Sequence, residues 1–445
     1  LAGPRVTTRG PVSQRPVSQK EDAMTTTDAE SLQARGGEPL KRSLARALRR
    51  QKLRALLLIA PLLAFIVLGF LMPIGSMLFR SVENRIVEDT LPLTVAALAD
   101  WDADSADLPP ESTFRALVAD LQVAIENRSA LTLARRMNFE SAGFTTMLRR
   151  AQRELPDWDL ETGGPFRERM IDLHRDWGAL DTWRALKAYS GRYTAGYYLA
   201  ALDYTMVSGS VAPMPSDQSI HQMLFWRTAW MSGLICAMTL LLGYPIAYLL
   251  ANARERNANL LLILVLLPFW TSLLVRTSSW KVLLQDQGVI NQTLVWIGLV
   301  ANDARLPMVN NKFGVIVAMT HILLPFMILP LYSVMKTIPP SYVRAAKSLG
   351  ANDWTAFWRV YFPQSVPGIG AGAILVFIMA VGYYITPELV GGPSGMFISN
   401  RIAHQWNVSG NWGLVGALGT ILLIAVLVLY WVYDKVVGID NVKLG

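Results

Sequence analysis

Six stretches of the chain, at about residues 55–79, 228–251, 260–275, 313–335, 365–386 and 412–433, contain no Asp, Glu, Lys or Arg. A bilayer core about 30 Å thick takes roughly 20 apolar residues in a helix, because no water is there to satisfy a backbone N–H or C=O and the helix satisfies both within itself. Runs of this length and purity therefore predict an all-α membrane protein with six transmembrane helices. The third run is the shortest and its ends are the least defined. Composition agrees: 52% of residues are hydrophobic and 17% charged, well under the quarter charged that is usual for soluble domains. A single cysteine, Cys236, excludes a disulfide scaffold, and its apolar surroundings read as a packed, inert thiol. The net charge of +8 gathers at the ends of the apolar runs, which is how spans are oriented. No nucleic-acid partner is expected.

Lys41, Arg42, Arg46, Arg49, Arg50, Lys52 and Arg54 precede the first run and place the N-terminus in the cytoplasm by the positive-inside rule. Threading six spans from there puts Arg254 and Arg256, then Lys336, Arg344, Lys347 and Arg359, then Lys435 and Lys443 on the same side, with the C-terminus. The segment 81–224 lands outside; it holds 21 acidic and 14 basic residues, a net charge of −7. It is too long for a loop. Phe114, Leu117, Val118 and Leu121 fall on one helical face, as do Phe166, Met170, Leu173 and Trp177. Arg149, Arg150 and Arg153 read as a solvated helix surface. The expected organisation is a disordered, basic cytoplasmic tail at 1–52, a first transmembrane helix at 53–80, a helical extracytoplasmic insertion at 81–225, and a core at 226–445 with five transmembrane helices and a cytoplasmic loop at 337–367. The first methionine is Met24, which points to a natural start there and a translated leader before it. The first run is longer than a signal-peptide core and no small-residue cleavage site follows it, so it stays as an anchor.

Charge inside a span is costly and marks proton relays and ion-coupled transporters. Here the spans offer only His321 as a titratable group well inside, which reads as a helix–helix hydrogen-bonding residue. No phosphate loop, H-E-x-x-H, cysteine pair or G-x-S-x-G elbow occurs in the sequence. The chain is expected to catalyse nothing and to hold no cofactor or metal. If it moves a solute against a gradient, another subunit supplies the energy.

The segment 337–372 reads TIPPSYVRAAKSLGANDWTAFWRVYFPQSVPGIGAG. Pro339 and Pro340 stop the preceding helix, Ser341 caps a short one through about Leu349, and Gly350 ends it in the left-handed conformation. Asn352 or Asp353 then caps a second short helix, which Pro363 and Pro367 end before the fifth span. Small residues, Ala345 and Ala346, beside Tyr342 and Leu349 suit a docking elbow. An amphipathic hairpin on the inner leaflet, anchored by Trp354, Phe357, Trp358 and Tyr361, fits the local physics equally well.

The stretch RAAKSLGANDWTAFWRVYFPQSVPGI resembles the EAA motif of binding-protein-dependent ABC importer permeases. The resemblance implies six transmembrane helices of the ABC importer permease type, in a bacterial inner membrane. It also implies that Ala345, Ala346, Leu349, Gly350 and Ala351, followed at the motif's spacing by Pro363, Pro367 and Gly368, couple the chain to a separate ATPase subunit. Arg344 stands where the motif usually has Glu, reversing a charge on the docking surface. LPFWTSLLVRTSSWKVLLQDQGVIN at 267–291 and GYYITPELVGGP at 382–393 resemble the spermidine/putrescine-type permeases. The resemblance covers the first span and residues from about 225 onward. It leaves the segment 80–227 unexplained.

The implied partners are two ATPase subunits that bind ATP and Mg, a second permease copy or paralogue, and an extracytoplasmic substrate-binding protein. The implied substrate is a polyamine or similar small organic solute. Candidate path residues flank the outer halves of the third and fifth spans. Trp270, Tyr383 and Tyr384 offer aromatic faces to an ammonium group, Glu388 offers charge, Thr386 lies between them, and Arg276 would repel a cation unless paired with Glu388 or Asp286. Gly368, Gly370 and Gly372, and Gly413, Gly416 and Gly419, put small residues on helix faces for close packing. A second reading from another class is a membrane-anchored sensor or scaffold built around the external domain.

Overall fold

The computed structural model describes residues 40–437 apart from 141–142, 208–209 and 217–218. The expectations for the polar N-terminal stretch, for Met24 and for Lys443 lie outside the described residues, as do the side chains of Lys41, Arg42, Arg46 and Arg50. The chain divides into two units at Ile74 and Gly75. The first is helical from α1 (Leu40–Ile66) through a π turn at Val67–Leu71, and α2 (Met72–Arg80) continues it across the division. Helix therefore begins at Leu40, which corrects the disordered tail expected to reach residue 52. Residues 40–54 are rich in Leu, Ala, Arg and Lys, all strong helix formers.

The second unit opens with a small helical domain. It comprises α3 (Arg85–Thr90), α4 (Pro92–Ala99), α5 (Glu111–Glu126), α6 (Ala130–Asn138), α7 (Phe144–Glu154), α8 (Phe166–Leu173), α9 (Leu180–Ala188) and α10 (Gly196–Ala201). Phe114, Leu117, Val118 and Leu121 all sit in its core, as the helical spacing predicts. Phe166, Met170 and Leu173 share α8, but Trp177 does not: the helix stops at His174, whose ring accepts from the Asp176 N–H and starts a separate 3-10 turn. Trp177 is buried all the same, against Trp183. The all-α expectation holds: among the described residues the strands are confined to one two-stranded antiparallel hairpin, β1 (Tyr204–Val207) and β2 (Ser210–Pro213).

Among the described residues, five helices are long and apolar enough to cross a membrane: Gln51–Arg80, His221–Asn252, Lys312–Thr337, Asp353–Gly382 and Trp412–Lys435. Three of them contain α11 (His221–Asn252), α15 (Lys312–Thr337) and α18 (Phe362–Gly382), which pack on one another around Met231, Ile235, Met319, Met327 and Val376. Close approach is built in at α18. A Cβ on Gly372 would lie 2.7 Å from Met327 Sδ, and one on Gly368 would lie 3.2 Å from Leu331 Cα. Gly413 likewise faces the Tyr197 ring and Gly416 the backbone at Met77, whereas Gly419 has open space around it.

The expected third span is not one straight helix. α12 (Glu255–Leu266) runs into a 3-10 turn at Leu267–Trp270 and meets α13 (Leu273–Leu283) at 93°. Pro268 has no N–H to donate, and the Ser272 hydroxyl accepts from Val275 N at 3.2 Å to begin the new helix. Taken together, the two halves make the sixth candidate span. A short α14 (Val289–Trp296) follows, and its loop is pinned by buried Asn291, which bonds both the N–H and the C=O of Leu306.

Candidate functional site

The loop after α15 forms an exposed elbow. α16 (Pro340–Ser348) starts at a proline, whose missing N–H is unneeded at a helix N-terminus. Ser341 is thus inside the helix rather than capping it. At the other end the Gly350 N–H donates to Lys347 O and the Ala351 N–H to Ala346 O, both at 3.0 Å, with Gly350 at φ +92°. That is a Schellman ending, and it requires the left-handed conformation that glycine takes without strain. Asn352 Oδ1 then accepts from Thr355 N at 2.7 Å and opens α17 (Asp353–Ala356). Lys347 pairs with Asp353 across the corner, where both are exposed.

Leu349, at the tip, is 90% exposed, Tyr342, Arg344 and Ala345 are exposed, and Ala346 and Ala351 are half-buried. The second arm does not end at Pro363 and Pro367 as the sequence suggested. From Asp353 the helix passes a π turn at Phe357–Tyr361 into α18, giving one run to Gly382. The Phe362 N–H reaches back to Phe357 O, and this wide turn accommodates Pro363. The aromatic residues split between two faces. Phe357 and Tyr361 pack on Tyr244 and Tyr248 of α11, with Tyr244 Oη 3.0 Å from Ser365 Oγ, whereas Trp354 and Trp358 are exposed. Sequence reasoning missed Tyr244 and Tyr248, because their partners lie over a hundred residues on.

At the opposite end of α18 the chain continues as α19 (Ile385–Val390), α20 (Gly392–Gly395), α21 (Ile398–His404), a π turn at Gln405–Ser409 and α22 (Trp412–Val437). The Thr386 hydroxyl, on α19, is buried 3.2 Å from that of Thr277 on α13. Tyr383 and Tyr384 give their carbonyls to Ser399 and Asn400. Asn400 Nδ2 also donates to Glu388 at 2.7 Å, so Glu388 is held while its residue stays exposed. Asn400 was not anticipated; no local spacing marks it. Arg276 lies 6.0 Å over the Phe269 ring and within electrostatic range of Tyr383 and His321. Its Nε and Nη1 are buried without partners, and among the described residues it pairs with neither Glu388 nor Asp286. Trp270 stands apart, 88% exposed at the break between α12 and α13. His321 Nδ1 accepts from Trp280 Nε1 at 3.0 Å, the helix–helix bond its sequence position suggested.

Apolar spans packed closely through small residues, with a capped elbow projecting from one end, define a multi-span membrane protein of the transport type. The chain belongs to the family of binding-protein-dependent transport system inner membrane components, whose model matches residues 240–438. It is 35% identical over 225 residues to the spermidine/putrescine transport system permease protein PotB of Haemophilus influenzae, covering 51% of this chain and 78% of that protein. It is 32% identical over 222 residues to the inner membrane ABC transporter permease protein YdcU of Escherichia coli K12, covering 48% and 70%. A chain of the bacterial alginate ABC transporter, solved in complex with an alginate pentasaccharide-bound periplasmic protein, aligns at 21% identity and a TM-score of 0.41, covering 51% and 81%. The family model takes in the elbow and the last spans; the helical domain between α2 and α11 lies outside it.

Proposed function

We propose that this permease forms the solute path of an ATP-driven importer and that its 337–367 elbow docks into a cleft on a separate ATPase subunit. The observation that carries the reading is the union of an exposed tip with a rigid rod. Leu349 and the Schellman corner project beyond the core, and the arm behind them is one continuous helix from Asp353 to Gly382. A push at the tip therefore reaches Gly382, next to Tyr383, without an intervening loop. Arg344, Ala345, Ala346, Leu349, Gly350 and Ala351 form the docking surface; Pro363, Pro367 and Gly368 shape the rod and its seat on α15.

The assembly comprises two ATPase subunits holding ATP and Mg, a second permease copy or paralogue, and a substrate-binding protein outside. Both termini are cytoplasmic and residues 81–225 are extracytoplasmic. The substrate is a polyamine of the spermidine/putrescine kind or a similar small organic solute, a reading supported by the names of the relatives. Trp270, Arg276, Tyr383, Tyr384, Thr386 and Glu388 flank its path. No observation favours the sensor or scaffold reading.

A Leu349→Cys variant in native membranes, cross-linked and analysed by mass spectrometry, should capture a protein with a phosphate-binding loop. The reconstituted assembly should take up labelled spermidine or putrescine only with ATP. Failure to capture any ATPase at Leu349, with the chain intact and inserted, would remove the coupling role; ATP-driven uptake of another solute alone would remove only the substrate.

A further inference from the structure

Where the helical domain meets the ends of the first and last spanning helices lies a pocket of ≈ 280 Å³. Four arginines line it, Arg80, Arg85, Arg135 and Arg136, against one carboxylate, Glu83. Glu83 is already taken by Arg85, at 2.6 Å. Arg80 lies 5.4 Å over the Trp412 ring and Arg135 is exposed; neither makes an ion pair among the described residues. Three of these arginines belong to the segment 81–224, whose net charge is −7, so positive charge gathers here against the sign of the segment as a whole.

Arg136 is the telling residue. It is 4% exposed, donates through Nε to Asn84 Oδ1 at 2.9 Å and through Nη1 to Glu140 at 2.6 Å, and lies over the rings of Tyr197 and Tyr189. Its Nη2 makes no hydrogen bond of good geometry, although the Tyr197 hydroxyl lies near the guanidinium. A buried guanidinium N–H left unpaired is costly, and a fork of such donors matches the oxygens of a phosphate. Arg80 ends one spanning helix and Trp412 begins another, so the pocket sits at the level where lipid phosphates lie.

We infer that this pocket binds a phosphate group, carried by an anionic lipid headgroup or present as a free phosphate. Its charge excludes it as a station for a cationic solute. The occupant bridges α2, α6 and the start of α22 and fastens the helical domain at the membrane surface.

The test uses the full chain, purified and delipidated in a zwitterionic detergent, followed by thermal unfolding and native mass spectrometry with phosphatidylglycerol, phosphatidylcholine or inorganic phosphate. Phosphatidylglycerol should bind and raise the unfolding midpoint, and Arg80→Gln with Arg135→Gln should weaken its apparent affinity about tenfold. Both positions are exposed, and an unchanged midpoint without ligand checks the fold. If inorganic phosphate reproduces the shift and the lipid adds nothing, the bound group is a free anion. If no phosphate compound binds, if phosphatidylcholine stabilises equally, or if the double variant binds like the wild type, the inference is wrong.

Discussion

Gly350 shows how much one residue decides at the elbow. Nothing lies within 4 Å of where its Cβ would stand, so a side chain there meets no clash; the obstacle is φ +92° alone. A left-handed β-branched residue costs at least about 1–2 kcal/mol. Gly350→Val should therefore abolish uptake while the chain still inserts and its spans stay folded, read by transport beside membrane fractionation. A second residue-scale prediction concerns alkaline pH. Burial, then the Glu140 carboxylate, holds the Tyr189 phenol above the usual tyrosine range, and burial does the same to Tyr197. Unfolded, both ionise near pH 10. Their contribution to stability is thus complete below about pH 10 and is lost as pH rises beyond it, because the unfolded chain gives up the protons first. Absorbance at 295 nm should show Tyr189 and Tyr197 titrating only as the helical domain unfolds, and Tyr189→Phe should reduce the alkaline loss. Gly350, Asn352 and His321 were legible in sequence because their partners are local or their type in an apolar run is telling. Arg136, Asp203 and Asn400 were not, because the groups they bond come from other elements.

Elements were legible where an uncharged apolar run was long enough to span, as in α11, α15 and α22, or where one helical face repeated, as in α5. They were misread at Pro268, Pro363 and Pro367, although Pro245, Pro325 and Pro330 sit inside helices read correctly. Pro268 gave no warning that its helix would turn through 93° after it, because the surrounding residues stay apolar on both sides of the break. Pro363 and Pro367 suggested an end, yet the π turn before them lets the helix run on. That turn carries a prediction. The turn already absorbs one extra residue, so inserting one alanine after Val360 would rotate the elbow by about 100° relative to α18. Phe357 would then leave Tyr244, so ATPase retention should fall even though no residue of the docking surface has changed; co-purification measures it. An elbow that still held its ATPase after the insertion would mean that the orientation of the rod is immaterial.

At the scale of the molecule, the helical domain is legible as helical and acidic, but its attachment is not. Asp203 makes that attachment. Its carboxylate accepts from the N–H groups of Ile220, His221 and Gln222 at 3.1, 3.0 and 2.8 Å and lies 2.9 Å from His221 Nδ1, all at the start of α11. Asp203→Ala leaves these donors buried without an acceptor, at a cost of about 3 kcal/mol. Limited proteolysis should then cut the segment around β2 faster than in the wild type, while α15 and α18 remain protected. Equal cleavage rates would show that other contacts suffice.

The four bonds from Asp203 also join the helical domain to α11 without a flexible joint at that point. Whatever tilt α11 undergoes is carried by a helical body much wider than the helix itself. A fluorophore on Arg149, on the exposed face of α7, is thus an indicator needle for the angle of a transmembrane helix, readable with no label on that helix.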